Sequence, residues 1–255
     1  MTLRARIRQG DRVIGTFVKT PSPHVVESLA VAGIDFVVAD LEHAPIGWET
    51  LDVMALAGSA WGLPVLFRSR SHAISEIAPG LDLGCTGVMV PHVDSQAVRE
   101  ACVEAVRFGS GRRGFSPSVR AGRYGREGRD FLTRSDEETV LVAQIEDRQA
   151  LSALHEISAS SDVDVLFVGP ADLSVSFELF RGTPLSDAEL AEKVADISGV
   201  TRASGVAVGM FVSGPEEIER WSVLGVTVFV CGSDQAMLRA AGAALMNHFK
   251  ERTQS

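Results

Sequence analysis

The stretch "AGIDFVVADLEHAP", residues 32–45, decides how the rest of the chain is read. Gly33 stops whatever precedes it, and "DFVVAD" (35–40) is a short run of β-branched and aromatic residues. A strand apolar on both faces fits a parallel sheet that is covered on both sides. The run then ends on Asp40, Glu42 and His43 within four positions. Such an ending is either a cap or surface turn, or the mouth of a catalytic site, and the remaining strands must choose between them.

Seven more runs share this character: "RVIGTFV" (12–18), "PVLFR" (64–68), "GVMVP" (87–91), "VLVAQIE" (140–146), "VDVLFVG" (163–169), "VAVGMFV" (206–212) and "VTVFVCG" (226–232). Amphipathic stretches separate them. They cover 22–33, 48–61, 95–108, 147–158, 185–204, 214–225 and 233–250, with a shorter one at 74–84 that contains Pro79. Ser22 and Pro23 give the first of these a cap and a preorganised first turn, and Gly33 gives it a stop. Eight strand-then-helix units in 255 residues predict an α/β fold, a single (β/α)8 TIM barrel spanning 1–255. An open doubly wound sheet would use fewer strands and a glycine-rich first turn, and no GxGxxG follows the first strand. One Gly/Arg-rich insertion, at about 107–135, breaks the rhythm; connections of that length are commonly functional or mobile.

Composition narrows the classes. Hydrophobic residues make up 45 % and charged residues 22 %, enough for a sizeable core and no disorder signature. A formal charge of -9 argues against nucleic acid as a partner, although seven arginines lie between Arg107 and Arg129. Cys85, Cys102 and Cys231 are sparse and unpaired in spacing, which suits a reducing cytoplasm. No run is long enough to span a membrane, and the N-terminal stretch has no apolar signal region.

In a barrel, chemistry gathers at the carboxyl ends of the strands. That rule brings Asp40, Glu42, His43, Arg68, Gln144, Glu146 and Asp172 to one rim. Singly, each has a plain explanation: Asp172 as a helix cap, Glu146 paired with Arg148, Arg68 in a rim salt bridge. Together they would be costly unless they served a site. Glu146 and Asp172, with no Cys or His beside them, suit a hard divalent cation. Arg68 suits a substrate carboxylate or a developing enolate oxygen. His43 can serve as general base, with Asp40 holding its ring.

"AGIDFVVADLEHAP", "LDLGCTGVMVPHV", "QIE" and "DVDVLFVGPADLS" together resemble the motifs of the HpcH/HpaI aldolase family, the class II pyruvate aldolases, from Gly15 to about Asp234. The resemblance implies a divalent-metal aldolase that cleaves a 4-hydroxy-2-oxo acid to pyruvate, or a close 2-oxo acid, and an aldehyde. It implies Glu146 and Asp172 as ligands of Mg²⁺ or Mn²⁺, with Co²⁺ a further candidate. Arg68 then binds the pyruvyl oxygens, and His43 with Asp40 handles the proton of the 4-hydroxyl. Gln144 and the backbone at Ala171 hold the substrate, and Phe17 forms an aromatic wall. It also implies a homo-oligomer, a hexamer by preference, with the last helix packing between copies. "SRSHA" after Arg68 and "RFGSGRRG" at 107–114 depart from the family pattern and leave the aldehyde open.

Three rivals stand beside this reading. A Schiff-base aldolase would need a reactive lysine, and of Lys19, Lys193 and Lys250 only Lys19 ends a strand. A CoA-ester lyase of the citrate-lyase β-subunit type shares the metal logic but needs adenine contacts. A barrel that binds a metabolite without turnover is the third. "VSGPEE" (212–217) and "CGSDQ" (231–235) are turns where barrels often take phosphate, but Ser213, Pro215 and Ser233 are read as capping residues.

Overall fold

A computed structural model describes residues 1–253 of the chain. The eight expected runs are all strands: β1 (Val13–Val18), β2 (Phe36–Asp40), β3 (Val65–Arg68), β4 (Gly87–Val90), β5 (Val140–Ile145), β6 (Val165–Val168), β7 (Ala207–Val212) and β8 (Val226–Ser233). Each pairs in parallel with the next, and β8 returns to β1 through Val13–Val228 and Ile14–Phe229 to close the barrel. The fold is therefore a (β/α)8 TIM barrel.

Alternation along each strand makes two apolar shells. Phe36 and Val38 join Val13, Phe17, Leu66, Met89, Val142, Phe167 and Val228 inside the barrel. Val37 and Ala39 face outward into the layer under the helices. Both sides of "FVVA" are buried for this reason, which is why the run reads as continuously apolar. Gly15 of β1 makes room for this interior: a Cβ there would lie 2.5 Å from the Phe36 ring. Burying a phenylalanine of this kind is worth about 1.5–3 kcal/mol.

A helix not expected from the sequence, Leu3–Arg8, plugs the amino-terminal end. Leu3 and Ile7 enter the inner shell, while Arg4 and Arg8 reach the buried Asp164 at 2.7 and 2.8 Å. Its six residues carry three arginines and too few apolar positions to show a helical period. Arg107 completes the cluster, with Nη2 3.2 Å from Asp164 Oδ2 and Nη1 donating to the carbonyl of Thr139 at 2.7 Å.

The 107–135 insertion belongs to this end too. It runs from helix Gln96–Val106 to the start of β5 and contains helix Asp130–Glu138. Arg113 is buried against Asp82 at 2.6 Å and stacks on Phe108, and Arg134 binds Glu127 and Glu138. Several of its arginines thus tie connections together below the sheet, and none of its residues lines the cavity at the opposite end.

Elsewhere the helices follow expectation with three changes. The stretch 147–158 breaks at Ala153 into Arg148–Ser152 and Leu154–Ser158, and 214–225 shortens to a 3-10 turn and the helix Ile218–Ser222. A helix at Pro170–Arg181 follows β6, so Asp172 lies in its first turn. Pro79 stays within helix Ile74–Asp82. The last helix, Asp234–Thr253, leaves Leu238, Leu245, Met246 and Phe249 exposed. Among the described residues no helix is long and apolar enough to cross a membrane.

Candidate active site

A cavity of about 440 Å³ opens at the carboxyl ends of the strands. Phe17 and Lys19 enter it from β1 and the turn after it, and His43 from the turn after β2. Arg68 ends β3 and Gln144 lies in β5; the segment Gly169–Asp172 follows β6 and Arg239 stands on the last helix. The strand-end rule brings the predicted residues together because a parallel barrel points all its carboxyl ends the same way.

Asp40 and Arg68 form the best-defined unit. Adjacent in register across β2 and β3, they meet in a bidentate pair, Nε to Oδ1 at 3.0 Å and Nη2 to Oδ2 at 2.7 Å. The Asp40 carboxylate also accepts the backbone N–H groups of Glu42 (3.2 Å) and His43 (3.1 Å), and Lys19 Nζ lies 3.4 Å away. Burial alone would raise its pKa, but the Arg68 hydrogen bonds and charge, the His43 N–H and Lys19 outweigh burial and hold it below the ordinary value. Arg68 is further fixed by Glu42 at 3.3 Å and by stacking over Phe17 at 4.7 Å. Its Nη1 has no acceptor among the described residues.

This arrangement differs from the expected Asp40–His43 dyad. Asp40 turns its oxygens to the Arg68 guanidinium and to the turn's own backbone, as an Asp ending a strand readily does. The His43 ring stands at the mouth, 57 % exposed, with Nε2 3.7 Å from Glu42 Oε2. Asp40 therefore sets the turn that presents His43, and Glu42 is the carboxylate beside the ring.

Next to the cavity-lining Gln144 and Gly169, Glu146 is buried, and Gln144 donates Nε2 to its Oε2 at 3.1 Å. That bond leaves Gln144 Oε1 buried without a donor. Oε1 of Glu146 accepts the backbone N–H of His92 at 2.8 Å. Burial pushes the Glu146 carboxyl up to about 7, against the pull of His92 and with the push of Asp172 and Glu42. Glu146 and Asp172 converge over Gly169: a Cβ there would sit 3.0 Å from Glu146 Oε2 and 3.8 Å from Asp172 Oδ2. The helix that starts at Pro170 has no side-chain cap, so the first-turn N–H groups of Ala171 and Asp172 face the same space unsatisfied by the helix.

His92 was not anticipated. It lies two residues past β4 in "MVPHV" with φ of 54°, a left-handed conformation strained for a residue with a side chain, and that turn aims its N–H at Glu146. Its ring contacts Asp147 at 2.9 Å. Burial works against its charge, but the Asp147 hydrogen bond and the charges of Glu146, Asp147 and Glu42 raise its pKa above the ordinary value. Applying the strand-end rule to the fourth strand would have found it. Lys19, the only strand-end lysine, spends its charge on Asp40.

The residues present fit a divalent cation. Two carboxylates that approach Gly169, whose missing side chain leaves room beside them, are an oxygen-donor pair of the kind Mg²⁺ and Mn²⁺ use. Among the described residues no three His, Cys, Asp or Glu side chains converge to form a closed cage.

The chain is similar to known proteins over most of its length. The family model described as HpcH/HpaI aldolase/citrate lyase matches residues 13–241. A hydroxypyruvate/pyruvate aldolase of Pseudomonas aeruginosa is 33 % identical, covering 97 % of this chain and 92 % of its own. A 2-dehydro-3,6-dideoxy-6-sulfogluconate aldolase of Pseudomonas putida is 31 % identical, covering 96 % of each. Among solved structures, a citrate synthase superposes with a TM-score of 0.87 at 29 % identity, covering 100 % of this chain and 99 % of that one.

Proposed function

The chain belongs to the HpcH/HpaI aldolase/citrate lyase family, and from that premise we propose that it is a divalent-metal-dependent class II aldolase that cleaves a 4-hydroxy-2-oxo acid to a pyruvate-type acid and an aldehyde. Its relatives' names make it an aldolase; the metal and the substrate class are the proposal. The observation that carries it is the approach of Glu146 and Asp172 to Gly169, which with Asp172 lines the same cavity as Arg68.

Glu146 and Asp172 hold the metal, which when bound supplies Lewis-acid polarisation of the 2-oxo group. The protein's own residues do the rest. The Ala171 and Asp172 N–H groups take the substrate carboxylate at the helix start. Arg68, pinned by Asp40 and unable to swing away, offers Nη1 to the oxygen where negative charge develops. The 4-hydroxyl loses its proton toward His43, the C3–C4 bond breaks, and its electron pair moves into the 2-oxo acid half as the aldehyde leaves. A proton returned to C3 completes the acid product. Phe17, Phe167 and Phe211 supply an apolar wall that keeps water from the developing carbanion.

A homo-oligomer is part of the same reading. The exposed Leu238, Leu245 and Met246 on the last helix support it, since apolar side chains left in water on one helix favour contact with another copy.

The test is pyruvate release from 4-hydroxy-2-oxo acids by purified protein, with and without EDTA, and after metal is restored. Loss with EDTA and recovery with Mg²⁺ or Mn²⁺ supports the proposal. EDTA-insensitive release that borohydride abolishes would replace it with a Schiff base on Lys19.

A further inference from the structure

The turn after β4 is held in a conformation that few side chains adopt, and its contacts reach Glu146. Among the described residues only His92, Arg123 and Tyr124 have a positive φ without being glycine, and the last two lie in the 107–135 insertion. His92 alone of the three stands beside the candidate site. A residue strained in this way persists only where its surroundings over-determine it, and such strain gathers at functional sites.

His92 is fixed from both sides. Pro91 before it is buried and has its φ set by its own ring, and Val93 after it is buried in the layer under the helices. Val93 gives its N–H to the Gln144 carbonyl at 3.1 Å, and His92 gives its N–H to Glu146 Oε1 at 2.8 Å. Two consecutive N–H groups thus fasten the turn to the end of β5. The imidazole closes the strap from outside, with Nδ1 2.9 Å from Asp147 Oδ2 and 3.5 Å from Glu146 Oε1. The ring is 62 % exposed, and His92 is not among the residues that line the cavity.

The consequence falls on Glu146. Its Oε1 is held by the His92 N–H, while Gln144 Nε2 reaches Oε2 at 3.1 Å. Oε2 is the oxygen nearer Gly169, 3.0 Å from where a Cβ would stand, and Asp172 Oδ2 comes within 3.8 Å of the same point. Groups that tether one oxygen of a carboxylate ligand decide where the other one points.

We propose that His92 is a positioning residue for the metal: its left-handed turn hangs Glu146 by Oε1 from a backbone N–H and leaves Oε2, on the Asp172 side, for the cation. The inference deepens the aldolase reading and rests on its metal site. The turn needs a residue that tolerates a positive φ, and the imidazole serves it by anchoring the turn to Asp147. Asn enters the left-handed region more readily than most residues and carries an amide donor toward Asp147; Val, branched at Cβ, offers neither.

His92→Asn and His92→Val both remove the imidazole and so separate the turn from the ring. Mn²⁺ affinity, measured by EPR of the free ion, should stay within about threefold of wild type in His92→Asn and fall about tenfold or more in His92→Val, as when the support of a ligand is disturbed. Thermal melting in EDTA shows whether the variants fold. If His92→Val does not, His92→Ala replaces it, with an expected loss of about threefold or more. Unchanged affinity in the Val or Ala variant overturns the proposal, as does an equal loss in His92→Asn, which would put the imidazole itself to work. Crystal structures of the metal-free proteins need no cation: Glu146 should keep its orientation in His92→Asn and turn from Gly169 in the Val or Ala variant, and one orientation in all of them overturns the positioning role. Wild-type protein that binds no Mn²⁺ condemns the metal reading alone, and the Glu146 orientations then decide whether His92 positions it.

Discussion

Replacing Asp40 by Asn removes one negative charge from a place where four groups depend on it. Arg68 loses its bidentate partner at 3.0 and 2.7 Å, and Lys19 loses a carboxylate at 3.4 Å. The N–H groups of Glu42 and His43 keep an acceptor if the Asn carbonyl takes the place of Oδ1. The Arg68 side chain is only 7 % exposed, so an unpaired guanidinium there costs about 3–5 kcal/mol. Glu42, whose Oε2 lies 3.3 Å from Arg68 Nε, can take over part of the pairing and moves the expectation to about 3 kcal/mol. The same reasoning fixes the sign of a double-mutant cycle. With Asp40 present, Glu42→Gln should cost about 1 kcal/mol or less; with Asp40→Asn in place it removes the last counter-charge, so the double variant should lose more than the sum, by roughly 1 kcal/mol or more. Urea unfolding followed by circular dichroism at pH 7 measures all four proteins. A loss below about 1 kcal/mol for Asp40→Asn, or strict additivity in the cycle, would refute the view that Asp40 neutralises a buried Arg68.

Other predictions follow from the same contacts. The Asp40 carboxyl has a folded pKa below its unfolded value of about 3.9, so its stabilisation is complete above that pH and lost as pH falls through the folded value; the urea-midpoint gap between wild type and Asp40→Asn should narrow below about pH 4. Gly169→Ala has no backbone conflict at φ of -93° but puts a methyl 3.0 Å from Glu146 Oε2. Mn²⁺ affinity should drop by about 10- to 100-fold, as when support of a ligand is disturbed, while the Tm in EDTA moves little; unchanged affinity would count against Glu146 as a ligand. Asp164→Asn, at the opposite end, strands Arg4 and Arg107 and should cost about 3 kcal/mol or more in urea. Because Asp164 is remote from the cavity, methyl-proton exchange of pyruvate by the folded variant should persist, and a selective loss of exchange would refute that separation.

The sequence by itself determined the barrel. Eight short runs apolar on both faces, each followed by an amphipathic stretch, leave few packings other than a closed parallel sheet, since each strand needs cover on both sides. It also determined that the candidate residues share one end, because parallel strands put Asp40, Arg68, Gln144 and Glu146 at one rim whatever the loops do. Contacts that join distant segments were decided only by the tertiary structure. Asp40 chose Arg68 over His43 because the register of β2 on β3 places the two side by side, and no spacing along one chain encodes that choice. In the sequence the 107–135 insertion is only a long Gly/Arg-rich connection; the fold puts Arg107 at the amino-terminal end of the barrel, where it joins Arg4 and Arg8 on Asp164. Asp234 likewise ties the start of the last helix to the end of the first strand, a contact between the two ends of the chain. Local periodicity records which face of an element is buried; which buried or rim charge finds which partner depends on closure of the barrel.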